Sequence, residues 1–174
     1  MKQEIERALA PLVGLTLWGP ARAANMLSLQ AGARRAQAPD VSTRSVGELA
    51  LHIFCPWRLI AGGRILAGAG DLFTPADPDA DLETFDWDAP GATWWDLRVL
   101  EAFADDAGPR VTRVSADDVG GFTLECEGGV RLEVFPSSSA SPHVDTEFWR
   151  LLRPDGERPH FVVETTGIHT DVDA

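Results

Sequence analysis

An α+β domain built mainly on antiparallel β-sheet, curved or closed into an incomplete barrel and carrying one principal helix, is the fold class this sequence predicts. Three observations predict it. Short apolar segments alternate with the period of two that half-buried strands require. Sixteen glycines and twelve prolines are spread along 174 residues, which favours many turns over long helices. One stretch, opening at Thr93, carries a longer helical pattern behind a capping signal. With 44% hydrophobic residues the chain can fill one core, so residues 1–174 read as a single domain.

In chain order, residues 3–9 predict a short helix ended before Pro11. Leu12 to Trp18 alternates as a strand, Gly19-Pro20 signals a turn, and Met26 to Gln30 returns beside it. Residues 31–46, rich in Ala, Arg and Ser, read as a mobile loop whose Arg34, Arg35 and Arg44 form the one local basic cluster, a solvated one. Leu49 to Ile60 is the most apolar run. Before Pro56 it separates by parity into Leu49, Leu51, Ile53 and Cys55 on one face and Ala50, His52 and Phe54 on the other. Pro56 cannot donate to a ladder, so it marks a bulge, an edge or a bend. Ala61-Gly62-Gly63 then turns the chain into a return strand, Arg64 to Ala67.

Residues 71–92 are a long acidic loop holding Asp71, Asp77, Asp79, Asp81, Glu83, Asp86 and Asp88 among Pro75, Pro78 and Pro90. Thr93 with Asp96 three residues on approximates a capping box. Leu97, Leu100 and Ala104 make the stripe expected to pack on a sheet, and the helix should end near Gly108-Pro109. Antiparallel strands follow at Arg110 to Ser115, Gly121 to Cys126, Val130 to Phe135, Glu147 to Leu152 and Phe161 to Thr165. Turns at Glu127-Gly128-Gly129 and Pro154-Asp155-Gly156 and a polar loop at about 136–146 divide them.

Two blocks carry a resemblance. Leu51-His52-x-x-Cys55-Pro56-Trp57-Arg58, with Gly70-Asp71 closing the hairpin, and Phe148-Trp149-Arg150-Leu151 followed by Pro159-His160-Phe161-Val162-Val163 together resemble a family of small uncharacterised bacterial proteins. The resemblance spans roughly residues 45–168 through these blocks and implies one recurring domain. It brings no catalytic role to any residue.

Charge narrows the function classes. A net charge of −12 argues against nucleic acid, whose phosphates require clustered cations, and fits a basic protein partner. The opening residues Met1 to Arg7 mix charges instead of forming the apolar core of a signal peptide, and no run approaches the ~18 apolar residues of a membrane span. The expected compartment is the cytoplasm. Cys55 and Cys126, each within an apolar strand pattern, read as buried free thiols.

The sites with recognisable chemistry are weak. Asp77-x-Asp79-x-Asp81 begins like a calcium loop, but Pro78 and Leu82 displace the flexibility and glycine such a loop needs, and Asp88 stands where its bidentate glutamate belongs. His52 and Cys55, an odd number of residues apart, fall on opposite strand faces, so no zinc site is expected. Ser139, His143 and Asp145 share one short loop, without the separate bracing a hydrolytic triad needs. No cofactor, metal or catalytic residue is assigned.

Two binding readings remain. The leading one is a protein-interaction module, immunity- or antitoxin-like, whose acidic surface of Asp77, Asp79, Asp81, Glu83, Asp86 and Asp88, with Trp94 or Trp95 as aromatic anchor, meets a basic partner. In the other, Arg58 and Arg150, each inside an apolar strand, join Trp57, Trp149 and His52 around a pocket for a small anion. The plain alternative is that carboxylates such as Glu48, Asp71 or Glu164 neutralise the two arginines, or that they point to solvent.

Overall fold

A computed structural model describes residues 1–36, 45–103, 108–154 and 159–171. The chain opens with helix α1 (Lys2–Leu9), continued by a 3-10 turn at Ala10–Leu12, and then β1 (Leu17–Ala23) and β2 (Met26–Ala31). A two-residue pair, β3 (Arg35–Ala36) with β4 (Ser45–Val46), precedes β5 (Leu49–Ile53), β6 (Trp57–Ala61) and β7 (Arg64–Gly68). After a 3-10 segment at Ala69–Phe73 come the acidic loop and α2 (Trp94–Ala102). The strands β8 (Val111–Ala116), β9 (Phe122–Cys126), β10 (Arg131–Val134), β11 (Glu147–Leu152), β12 (His160–Glu164) and β13 (Gly167–Asp171) complete it.

These strands form a six-stranded sheet in the order β1-β2-β5-β11-β12-β13 and a five-stranded sheet in the order β7-β6-β10-β9-β8, antiparallel at every pairing. The molecule is an α+β fold dominated by antiparallel sheet, and the described strands form no closed barrel. Each sheet joins strands from both halves of the chain, β5 beside β11 and β6 beside β10. A single cluster takes Leu27, Leu29, Leu51, Ile53, Trp149 and Val163 from one sheet and Trp57, Leu59, Leu124, Leu132 and Val134 from the other. Side chains of this size contribute about 1.5–3 kcal/mol each when fully buried.

Two corners connect the sheets. At Phe54–Pro56 the chain bends out of the six-stranded sheet into the five-stranded one. The amides of Phe54 and Cys55 both donate to the Phe148 carbonyl (2.9 and 3.1 Å) while the Phe135 amide donates to that of Pro56 (2.9 Å). Proline stands where a ladder donor is not required. At the second corner the Leu17 amide donates to the Pro109 carbonyl and the Val111 amide to that of Leu15, tying the start of β1 to β8. Gly108 sits at this seam so tightly that a Cβ would lie 1.9 Å from the Leu17 carbonyl oxygen.

Several expected boundaries move. The strand expected at Leu12 to Trp18 starts later, because Ala10–Leu12 continues the first helix as a 3-10 turn. Gly19-Pro20 is a bulge inside β1 and not its turn: the register slips between Trp18 and Ala21, and the chain reverses at Ala24-Asn25 instead. Proline is tolerated there because β1 is an edge strand. Part of the expected loop at 31–46 pairs as β3 with β4; Arg44 lies outside the described residues, and Arg34 stacks over Trp18 at 4.4 Å. The Gly62-Gly63 turn has φ of +56° and +74°, as a two-residue hairpin turn demands. β13 carries no expectation from the sequence.

Helix α2 keeps its expected cap. The Thr93 amide and hydroxyl donate to Asp96 Oδ2 at 3.0 and 2.9 Å, and the Asp96 amide returns to Thr93 Oγ1 at 3.4 Å. Its orientation is the reverse of the expected one. Trp95 and Val99 enter the core, whereas Leu97 and Leu100 are 43% and 56% exposed. Apolar residues lie on both sides of this helix, and the side holding Trp95 can also bury Asp96 beside an arginine. Ala104 falls outside the described residues.

Candidate functional site

The acidic loop is built on a buried cation that sequence reasoning does not single out. Arg22, on the edge strand β1, keeps only 10% of its side chain exposed. Its Nε donates to Asp96 Oδ1 at 2.8 Å and its Nη2 to the Trp87 carbonyl at 2.8 Å, and its Nη1 reaches Asp88 at 3.5 Å. The guanidinium also lies 6.0 Å from the ring of Trp95. One side chain thus holds both the capping box of α2 and the end of the loop. Burial alone would raise the Asp96 carboxyl; the hydrogen bonds from Arg22 and Thr93 outweigh it and hold it below the usual carboxylate range, while its bond to Asp96 raises the Arg22 guanidinium.

Within the loop, Asp77, Asp81 and Asp86 each accept a hydrogen bond from the amide two residues on (2.9, 3.1 and 3.0 Å). These Asx turns shape the backbone. All six acidic side chains, Asp77, Asp79, Asp81, Glu83, Asp86 and Asp88, are exposed. Among the described residues no group of three or more His, Cys, Asp or Glu is arranged to hold a metal ion.

Beside this loop lies an apolar groove of about 490 Å³, bounded by Pro75, Asp77, Pro78, Ala80, Leu82 and Trp94. Trp94 is 42% exposed and Leu82 63%. Leu97 and Leu100 extend the apolar surface from Trp94 along the outer side of α2, since residues three apart share a helix face. Of the two tryptophans expected to split between core and surface, Trp94 is the exposed one. Trp95 is buried, edge-on to Trp57 with ring centroids 6.4 Å apart.

The residues of the expected anion pocket are dispersed by strand parity. Trp57 and Trp149 point into the core, where Trp149 Nε1 donates to the Gly120 carbonyl at 2.7 Å and its ring meets Phe122 edge-on at 4.8 Å. Arg58 and Arg150, one residue on, turn to the outer faces of different sheets. Arg58 donates to Glu133 at 2.6 Å, and Glu133 also takes Arg131 at 2.6 Å. Arg150 donates to Glu147 at 2.6 Å and approaches His160 Nδ1 at 3.2 Å. Among the described residues their carboxylate partners are Glu133 and Glu147 and not Glu48, Asp71 or Glu164, because the cross-strand position and the bulge at the start of β11 set which carboxylate is near.

His52 does meet Arg150, directly opposite it, with Ser28 on the other side. Burial, reinforced by the Arg150 charge, pushes the His52 imidazole below its ordinary value, so it is neutral at physiological pH. With Glu147 on Arg150 and His52 uncharged, this row offers an anion little net attraction. Ser139, His143 and Asp145 are all exposed on the loop before β11.

Cys55 and Cys126 are buried free thiols, and burial pushes them up to about 12 and about 11. A surface hollow of about 670 Å³ between α1 and β12–β13 brings Glu4, Arg7 and His169 to its walls; Glu4 pairs with the Met1 amino group at 3.3 Å, and His169 Nδ1 lies 3.4 Å from Glu164. No described helix is long and apolar enough to cross a membrane. Comparison with protein-family models, with curated proteins and with solved structures finds no match to this chain.

Proposed function

We propose that this chain is a protein-interaction module that presents a preshaped acidic surface to a basic partner in the cytoplasm, as an immunity- or antitoxin-like protein does, and that it belongs with the small bacterial proteins sharing its two sequence blocks. One observation supports this above the others. The six exposed carboxylates from Asp77 to Asp88 stand on a loop given its shape by three Asx turns and by the buried Arg22, beside an apolar groove. A loop already shaped loses less conformational entropy on binding, and clustered like charge accelerates encounter with an opposite one. The pocket for a small anion draws less support, since Arg58 and Arg150 each carry their own glutamate.

The test is capture from native cells at low and high salt, with wild type beside a variant carrying Asp→Asn at 77, 79, 81, 86 and 88 and Glu83→Gln. Asparagine keeps the oxygen that shapes each turn, and although Asp88→Asn gives up its ion pair with Arg22, the shorter Arg22 bonds to Asp96 and the Trp87 carbonyl still hold the loop's end. A stoichiometric basic partner, lost in the variant and at high salt, supports the reading. A partner indifferent to both would sink it.

A further inference from the structure

We infer that the groove between the acidic loop and α2 receives a short amphipathic helix of the partner, with apolar anchors along one face and Arg or Lys on the flank that meets the loop. This rests on the interaction reading above and gives it a local chemistry. Trp94, Leu97 and Leu100 are exposed at successive three-residue steps. From Trp94 to Leu100, over six helical rises, they make a stripe about 9 Å long, close to the separation of anchors at i and i+7 on a second helix. The stripe is not required by the fold, because α2 is already seated through Trp95 and Val99. Of the stripe's three residues, Trp94 lines the groove itself, where Leu82, Pro75 and Pro78 form the loop wall.

Charge selects the occupant. Asp77 lines the groove, with Asp79, Asp81 and Glu83 exposed along the same loop. Arg98, lying 5.8 Å from the Trp94 ring, is neutralised by Glu101. A second copy of this chain, at net charge −12, would set carboxylates against carboxylates. An added β-strand finds no edge here, because the walls are a helix and a loop whose Asp79, Glu83 and Asp88 amides are already bonded to aspartates. A helix that fills the groove with side chains and sets cations over the rim satisfies both conditions.

The experiment titrates the full chain with a fluorescent 14-residue peptide of Leu and Lys, leucines spaced i, i+3, i+4, i+7. A scrambled peptide of the same composition is titrated beside it, and contacts are read from Trp94 indole and backbone NMR shifts. The patterned peptide should bind at least about tenfold more tightly than the scrambled one and shift Trp94, Leu97 and Leu100. The pair Leu97→Ser and Leu100→Ser should remove about tenfold of that affinity, whereas Ile65→Ser, exposed on β7, should not. Circular dichroism and melting confirm that the variants fold. Equal, salt-sensitive binding of both peptides would overturn the groove while leaving the acidic docking surface standing. So would shifts confined to other surfaces, or a self-associated dimer dispersed by Leu97→Ser. Failure of both peptides at low salt would remove the groove and count against the docking surface as well.

Discussion

The Arg22 guanidinium donates through Nε to Asp96 Oδ1 at 2.8 Å across 74 residues of sequence, binding an edge strand to the first turn of α2. Both side chains are about nine-tenths buried, and Asp96 is at once counter-ion and helix cap. The pair therefore sets the position of the loop and the helix that flank the groove.

Breaking that pair should be costly. Arg22→Met leaves Asp96 buried and unmatched, with an expected loss of about 3–5 kcal/mol in urea unfolding; removing both charges in Arg22→Met with Asp96→Asn should cost less than the sum of the singles. Asp96 also adds pH dependence. Its folded value lies below the unfolded one, so its contribution is present above about pH 4 and is lost as pH falls below that. The Asp96→Asn protein should lack this acid limb.

His52 acts in a higher pH window with the same sign. Its folded value is below the ordinary value near 6.5, so the unfolded chain takes up the proton first and stability declines as pH falls from about 6.5. Melting temperatures measured from pH 7.5 to 5 should drop less steeply in His52→Gln than in wild type.

The seam between the sheets is testable at Gly108. A methyl group there meets the Leu17 carbonyl, so Gly108→Ala should destabilise by about 1–3 kcal/mol and speed amide exchange at Leu17 and Val111 before that at the six-stranded sheet's centre.

The two sides of α2 should respond oppositely to truncation. Val99→Ala removes buried methyl groups and should cost about 1–2 kcal/mol or more, while Leu97→Ser should change stability by about 0.5 kcal/mol. Equal losses would mean that the stripe is structural.

Both thiols should resist alkylation at pH 8 until the protein unfolds, because burial raises Cys55 to about 12 and Cys126 to about 11 and closes off access. Labelling rates across a urea series should follow the unfolded fraction.

By itself the sequence determined the local features of this protein. Parity along Leu49 to Cys55 predicts which large side chains point inward, glycine chemistry predicts the turn at Gly62-Gly63, and Thr93 with Asp96 predicts the start of α2. Each depends on residues a few positions apart, and each forms. Tertiary structure decided which elements meet. Strand parity predicts that Trp57 and Arg58 diverge, but not that Arg58 lies across from Glu133, 75 residues away. Helix periodicity offers two apolar sides on α2, and only the buried Arg22 awaiting Asp96 chooses between them. Leu97 and Leu100 were turned outward by that choice, so the apolar half of the candidate site is invisible to periodicity, whereas the acidic half, a matter of composition in an exposed loop, is legible from the sequence.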